Sequence, residues 1–187
     1  MGLIVLLQLP PVAQVVALSS IAPVAAYPFM KRITWWPQAW LGLVFGWGLP
    51  VGWAAIAGLD RLPVMLACYA GTILWIIAYD TIYALQDRED DALVGIRSSA
   101  RAMGAHVRSG VALLYTGALS AWALAFWWLR QDWVALLALL PVAVHLTWQV
   151  TTLDEGDNDN ALARFRSNRF AGLLMAAACY VVGNAGL

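Results

Sequence analysis

The stretch YDTIYALQDREDDALVGIRSS, residues 79–99, decides both the fold and the site, because it joins an apolar run to a dense group of carboxylates. Five of the 11 Asp and Glu residues in the 187-residue chain lie within twelve positions here: Asp80, Asp87, Glu89, Asp90 and Asp91. The eight residues before Asp80, TILWIIAY, carry no charge. This pattern predicts a helix that crosses a membrane and ends in an acidic segment at its surface.

The composition indicates a membrane protein. The chain is 62% hydrophobic and 12% charged, with a mean hydropathy of +0.71, whereas a soluble domain has about 25% charged residues. Its polar residues are too few to cover a water-soluble globule, so we expect the lipid bilayer to be its surrounding medium. The formal net charge is zero, which gives no electrostatic argument for a nucleic-acid partner.

Six apolar segments are long enough to span a membrane, which takes roughly 20 residues. Helices are expected rather than barrel strands, because the apolar runs do not alternate with polar residues. We therefore predict an all-α polytopic bundle that forms a single transmembrane domain over residues 1–187. The predicted spans are residues 11–28, 38–57, 63–84, 104–128, 133–152 and 168–186.

Basic residues divide unevenly between the two predicted membrane faces. Only Arg61 and Arg130 belong to one face. The other nine of the 11 basic residues share the opposite face: Lys31, Arg32, Arg88, Arg97, Arg101, Arg108, Arg164, Arg166 and Arg169. Cytoplasmic connections carry an excess of Lys and Arg. We therefore expect the acidic connection to face the cytoplasm, in a bacterial inner membrane.

The spacing of the carboxylates predicts a metal site. On a continuing helix Asp80, Asp87 and Asp91 would lie within roughly 40° of one another, at about 100° per residue. Asp87 and Asp91 would then form a like-charged i, i+4 pair, which weakens a bare helix unless a cation bridges it. Oxygen ligands without His or Cys favour Mg²⁺ over Zn²⁺.

A phosphate group completes this hypothesis. Mg²⁺ usually binds one or two carboxylates and takes its other ligands from water and substrate phosphates. Lys31, Arg97 and Ser98 lie on the same predicted face and are candidates to contact a diphosphate. Two alternatives are a solvated acidic connection and a cation transporter or channel, although a transporter would carry carboxylates through several spans.

Glycines recur along the second predicted span. Gly42, Gly46, Gly48 and Gly52 fall mainly on one side of a helix. Small residues at such spacing let two helix backbones approach closely. The pattern predicts tight helix packing along this side.

The sequence resembles a known family at several motifs. YDTIYALQDREDD, residues 79–91, matches at every position the pattern Asp-x-x-Tyr-Ala-x-x-Asp-x-x-Asp-Asp, the second aspartate-rich motif of the UbiA superfamily of intramembrane prenyltransferases. Residues 26–50, 94–100 (VGIRSSA) and 165–172 (FRSNRFAG) resemble its 4-hydroxybenzoate polyprenyltransferase branch. The similarity covers essentially the whole chain.

The resemblance implies an Mg²⁺-dependent transfer of a polyprenyl group from polyprenyl diphosphate to 4-hydroxybenzoate, in ubiquinone biosynthesis. By the resemblance, Asp87 and Asp91 hold the metal, Asp80 and Tyr83 open the motif, and Arg32 corresponds to a basic residue linked to activity. Homogentisate, naphthoate, porphyrin or haem acceptors of other branches remain alternatives, and so does a noncatalytic membrane remnant.

One part of the family pattern has no match. The family has about nine spans and a first motif, Asn-Asp-x-x-x-Asp, yet Asp60 is the only carboxylate before Asp80. The chain matches the last six spans and the end of the third. We therefore expect a chain truncated at its N-terminus, inactive alone and in need of the missing helices.

Overall fold

Residues 2–184, which the computed structural model of the protein describes, fold into helices, and no strand occurs among them. The helices are α1 Gly2–Leu6, α2 Pro11–Ser19, α3 Ile21–Ile33, α4 Pro37–Phe45, α5 Gly48–Ala57, α6 Leu62–Tyr83, α7 Arg88–Leu93, α8 Ser99–Met103, α9 Val107–Leu129, α10 Trp133–Leu137, α11 Leu140–Thr151 and α12 Asn158–Asn184. A 3₁₀ turn, Gly104–His106, separates α8 from α9. The predicted all-α architecture is confirmed.

Within residues 2–184, five helical segments are long and apolar enough to cross a membrane, whereas the sequence predicted six spans over the whole chain. They are Pro11–Met30, Pro37–Ala57, Leu62–Tyr83, Ser99–Leu129 and Trp133–Thr151. The predicted sixth span, 168–186, is not a separate helix but continues α12 from a polar start, and its last two residues lie outside the described part. Asn168, Arg169 and Asn184 lower the hydropathy of the part that is described.

Prolines explain why several spans are built from two short helices. Proline has no N–H to donate to the carbonyl four residues earlier. Pro23, Pro50 and Pro141 each follow a break by no more than four residues, between α2 and α3, α4 and α5, and α10 and α11. Pro28, in contrast, lies inside α3 without ending it.

Aromatic side chains satisfy backbone carbonyls that these breaks release. At the α2–α3 break the N–H of Ser20 turns to Ala17, and the indole of Trp47 donates to the carbonyl of Val16 at 2.8 Å. At the α4–α5 break the Tyr69 hydroxyl likewise donates to the carbonyl of Leu43. Unpaired backbone groups are costly in lipid, so these bonds make the breaks tolerable.

Helix α6 is the centre of the bundle and packs against α9, α4 and α12. Its Ala78 and Ile82 are fully buried together with Val111 and Trp122 of α9. Large apolar side chains on the outer faces are exposed instead, with Ile56 at 93%. An apolar exterior around an apolar core is the arrangement expected of an integral membrane protein.

A polar cluster links four helices inside this core. Asn168 of α12 accepts a hydrogen bond from the Trp75 indole of α6 at 2.8 Å and donates to Gln149 of α11 at 3.2 Å. The Tyr115 hydroxyl of α9 donates to Gln149 at 2.6 Å. Buried polar groups connected in this way fix the relative placement of helices that apolar contacts alone would leave adjustable.

The close helix packing predicted for the four glycines is confirmed for Gly42 and Gly46 only. A Cβ on Gly42 would lie 2.9 Å from the carbonyl oxygen of Ile73, and one on Gly46 would lie 3.0 Å from the Tyr69 ring. Both glycines therefore let α4 pack closely on α6. A Cβ on Gly48 or Gly52 would meet nothing within 4 Å, so these two do not serve this contact.

Gly42→Ala is expected to lower the melting temperature of the purified protein in detergent, because its Cβ meets backbone that cannot move aside. The expected cost is about 1–3 kcal/mol, the usual range for overpacking. Gly52→Ala is the matched control, since it adds the same methyl group into open space in a helix. Equal melting temperatures for the two variants would contradict the close contact between α4 and α6.

Candidate active site

A cavity of about 120 Å³ lies at one end of the bundle, where α3, α4 and α6 meet the acidic segment. Its walls combine carboxylates, an arginine, hydroxyl groups and an amide. The lining residues are Tyr27, Pro37, Gln38, Asp80, Tyr83, Ala84, Asp87, Asp91, Arg97 and Ser98. The cavity is therefore polar, although it opens at the end of an apolar bundle.

Hydrogen bonds from two arginines hold three connections together at this end: the one between α3 and α4, the one between α6 and α9, and the one between α11 and α12. Arg97 donates to the carbonyl of Ile33, the last residue of α3, at 2.9 Å. Arg108 donates through its backbone N–H to Glu155 at 2.8 Å and through its guanidinium to the carbonyl of Thr151 at 2.7 Å. These bonds place the segments around Arg97 and Arg108 at the same end of the bundle as Ile33 and Thr151, as the predicted shared face requires, while the side of the membrane stays a prediction.

The three predicted carboxylates meet in the cavity, but not on the helix that the sequence suggested. A continuous helix from Asp80 to Asp91 is wrong: α6 ends at Tyr83, and turns over residues 84–87 precede α7. The N–H of Asp91 still donates to the carbonyl of Asp87 at 2.7 Å, which preserves their one-turn spacing. The cavity is therefore formed by a helix end and a following turn.

A reversal after α7 returns the chain to the cavity. Gly95 has φ of +73°, and the N–H of Ile96 donates to the carbonyl of Asp91 at 2.9 Å. This is a Schellman ending, in which a left-handed glycine closes a helix. The next two residues, Arg97 and Ser98, then line the same cavity as the carboxylates.

The donor set fits a magnesium ion that is shared with a phosphate ligand. Within the described residues, no three Asp, Glu, His or Cys side chains are close enough together to hold one ion. Asp80, Asp87 and Asp91 nevertheless line a single cavity with Arg97. One or two carboxylates are what Mg²⁺ commonly takes from a protein when substrate phosphates and water supply its other ligands.

The basic side of the cavity is held by aromatic and backbone contacts. The guanidinium groups of Arg97 and Arg101 each lie 5.5 Å from the centre of the Trp35 ring. Arg101 also donates to the carbonyls of Asp91 and Ile96. Trp35 thus positions a positive charge beside the carboxylates through cation–π contacts.

Of the remaining predicted site residues, Ser98 and Tyr83 also line the cavity. Ser98 caps α8, its hydroxyl oxygen accepting from the N–H of Arg101 at 3.4 Å, and Tyr83 packs on Phe165 with ring centres 4.8 Å apart. Arg32 is exposed and is not among the residues that line the cavity. The role predicted for Lys31 falls on a side chain outside the described part of the structure.

Gln38 and Tyr27 line the cavity although the sequence analysis did not single them out. Gln38 accepts a hydrogen bond from the backbone N–H of Ser99 at 3.0 Å. The Thr81 hydroxyl donates to the carbonyl of Ile77 at 2.6 Å, so its single proton is used and the Ser99 hydroxyl must donate to Thr81, 2.6 Å away. This chain of bonds ties α4, α6 and α8 together beneath the cavity.

Comparisons with known proteins agree with these features. A model described as the UbiA prenyltransferase family matches residues 1–182. The chain is 35% identical over 175 residues to "4-hydroxybenzoate polyprenyltransferase, mitochondrial" of Arabidopsis thaliana, which is 94% of this chain and 43% of the relative. Identity to the protein of the same name from Homo sapiens is 40% over 159 residues, or 83% of this chain and 42% of the relative.

A third relative of that name, from Caenorhabditis elegans, is 35% identical over 174 residues, which cover 93% of this chain and 49% of the relative. The chain therefore spans less than half the length of these curated relatives. No solved structure matches the chain.

Thr81→Val is expected to destabilise the protein more than Ser99→Ala. The valine removes the acceptor of the buried Ser99 hydroxyl, and an orphaned buried donor costs about 1–3 kcal/mol. The alanine removes the donor itself, and Thr81 keeps its bond to Ile77. Urea or thermal unfolding in detergent measures the difference, and a loss for Ser99→Ala as large as that for Thr81→Val would contradict the bond direction assigned here.

Proposed function

Because the chain belongs to the UbiA prenyltransferase family, we propose that it acts in the transfer of a polyprenyl group from polyprenyl diphosphate to 4-hydroxybenzoate, a step of ubiquinone biosynthesis. The observation that carries the proposal is the cavity in which Asp80, Asp87 and Asp91 face Arg97 at the end of an apolar bundle. The relatives of the chain are named 4-hydroxybenzoate polyprenyltransferases. A charged end and an apolar body suit a ligand with a diphosphate head and an isoprenoid tail.

The chemistry requires stabilisation of a leaving diphosphate. The allylic carbon–oxygen bond breaks, the electron pair leaves with the diphosphate, and the ring carbon ortho to the acceptor hydroxyl forms the new carbon–carbon bond. The ring then loses the proton that this carbon carried. Charge that develops on a leaving group is best stabilised by cations already in position.

One group of residues in this chain would bind the metal and the diphosphate, and another would border the reacting end of the ligand. We assign Asp87 and Asp91 to holding Mg²⁺, which when bound would neutralise part of the diphosphate charge. Arg97 would contact the phosphate oxygens, together with Lys31 and the Ser98 hydroxyl. Asp80 and Tyr83 would border the reacting end of the ligand, and Arg32 would add positive charge near the entrance.

The apolar body of the bundle would protect the reaction. An allylic cation reacts rapidly with water, and apolar helices around the prenyl tail, beyond the polar cavity, would keep water away from it. The long prenyl tail would remain among apolar side chains or lipid.

We further propose that the acidic end of the bundle faces the cytoplasm or its equivalent compartment. The excess of Lys and Arg at this end supports that orientation. The relatives described above are named as mitochondrial proteins, so they give no support to the bacterial inner membrane that the sequence analysis expected. The orientation does not depend on that choice.

Asp87→Asn and Asp91→Asn are each expected to reduce prenyl transfer at least a hundredfold, because loss of a metal ligand removes several kcal/mol of charge stabilisation. The assay measures 3-polyprenyl-4-hydroxybenzoate formed in membranes. The membranes contain either this chain alone or a fusion protein in which this chain replaces the matching part of the human relative. Chelation of Mg²⁺ should abolish product formation, and added Mg²⁺ should restore it.

Asp60→Asn is the matched control, because Asp60 is an exposed carboxylate in the connection between α5 and α6, at the other end of the bundle. It should keep the activity of the unmodified protein. Wild-type activity in the Asp87 and Asp91 variants would refute the metal role. Product formed only with a different aromatic acceptor would refute the proposed substrate.

A further inference from the structure

Gln38 is a buried amide whose hydrogen-bonding capacity is only half used. The side chain is 5% exposed and lines the cavity at the start of α4. Its Oε1 accepts the bond from the backbone N–H of Ser99 at 3.0 Å. Its Nε2 has no hydrogen-bond partner among the residues that the structure describes, and it is not one of the fully enclosed polar atoms.

The orientation of this amide is determined by its partner. A backbone N–H can only donate, so the oxygen of Gln38 must face Ser99 and the NH₂ group must take the other position. The bond is buried and Ser99 is itself fixed by its contact with Thr81. The NH₂ group is therefore a donor held in place before any ligand arrives, which reduces the entropy lost on binding.

The surroundings indicate what this donor would bind. An NH₂ group offers two N–H donors and no acceptor, so its partner must supply oxygen lone pairs. Arg97 lines the same cavity, and the first two residues of the nine-residue helix α4 border it with the positive end of the helix dipole. Asp80, Asp87 and Asp91 line the cavity as well, so these features favour an anionic oxygen once the Mg²⁺ assigned to Asp87 and Asp91 is bound.

We propose that Gln38 is a diphosphate-binding residue whose Nε2 donates a hydrogen bond to a non-bridging phosphate oxygen. This inference rests on the proposed function, because it takes its ligand from that reaction. Gln38 transfers no proton and forms no covalent bond. It would stabilise a phosphate oxygen in the cavity where Asp87 and Asp91 would hold the metal.

The test is Gln38→Glu, which keeps an acceptor for Ser99 and replaces the donor by a second oxygen. The affinity of the chain in lipid nanodiscs for inorganic pyrophosphate, measured by titration calorimetry with saturating Mg²⁺, should fall roughly ten- to a hundredfold, as expected for loss of a hydrogen bond to a charged group. The melting temperature is measured in parallel, so that any loss of stability from the added buried carboxylate is separated from a loss of affinity in the folded chain.

Two further variants separate a direct contact from a general effect of charge. Gln86→Glu adds the same charge in the neighbouring turn, on a side chain that does not line the cavity, and should change pyrophosphate affinity less than about threefold. Gln38→Asn adds no charge but is one methylene too short to reach both Ser99 and the ligand, and should weaken pyrophosphate binding.

The outcomes distinguish this inference from the proposed function. Unchanged pyrophosphate affinity in Gln38→Glu, or equal losses in Gln38→Glu and Gln86→Glu, would overturn the role of Gln38, and so would an unmodified chain that does not bind pyrophosphate with Mg²⁺. A loss of 4-hydroxybenzoate binding alone would overturn it as well, by assigning Gln38 to the acceptor. Pyrophosphate binding that depends on Gln38, without any prenyl transfer, would contradict only the proposed reaction.

Discussion

Every backbone carbonyl and N–H group in an apolar medium needs a partner, and this requirement governs where the helices of the chain can end. At the breaks inside the spans, indole and phenol groups from neighbouring helices donate to the released carbonyls of Val16 and Leu43. At the cavity end, arginines take over this task at the carbonyls of Ile33 and Thr151. The same type of bond therefore stabilises the scaffold in one place and brings positive charge to the site in another.

The end of α6 shows how the need to pair backbone groups shapes the polar cavity. Because α6 ends at Tyr83 and the chain turns before α7, Asp80 and Asp87 come to a common cavity from two different local structures. The left-handed Gly95 then returns Arg97 to the same place. Three short segments, each with its own backbone hydrogen bonds, surround a polar volume that a single straight helix could not enclose.

Much of this architecture could be predicted from local patterns. Apolar runs of sufficient length predicted the spans, and the spacing of Asp80, Asp87 and Asp91 predicted that they would meet, although the assumed continuous helix was wrong. The breaks at Pro23, Pro50 and Pro141 also had a local signal in the missing N–H of proline. The sixth predicted span was not found within the described residues, because Asn168 and Arg169 at its start and Asn184 near its end lower the hydropathy of the described part of α12.

Gln38 had no such signal, since one glutamine in WWPQAW matches no periodicity or motif of its own. Its role depends on Ser99, which is 61 positions away along the chain. The arginine contact with Ile33 spans 64 positions for the same reason. Local sequence reveals which groups are polar, whereas contacts between distant segments decide which of them are buried together.

These long separations have a consequence for how the protein is made. When α3 and α4 enter the membrane during synthesis, the segment that carries Arg97 and Ser99 has not yet been translated. Until Arg97 and Ser99 are made, the amide of Gln38 and the carbonyl of Ile33 must therefore form hydrogen bonds with other groups, such as water or lipid headgroups. The charged end of the bundle is thus completed only after its first helices have been made.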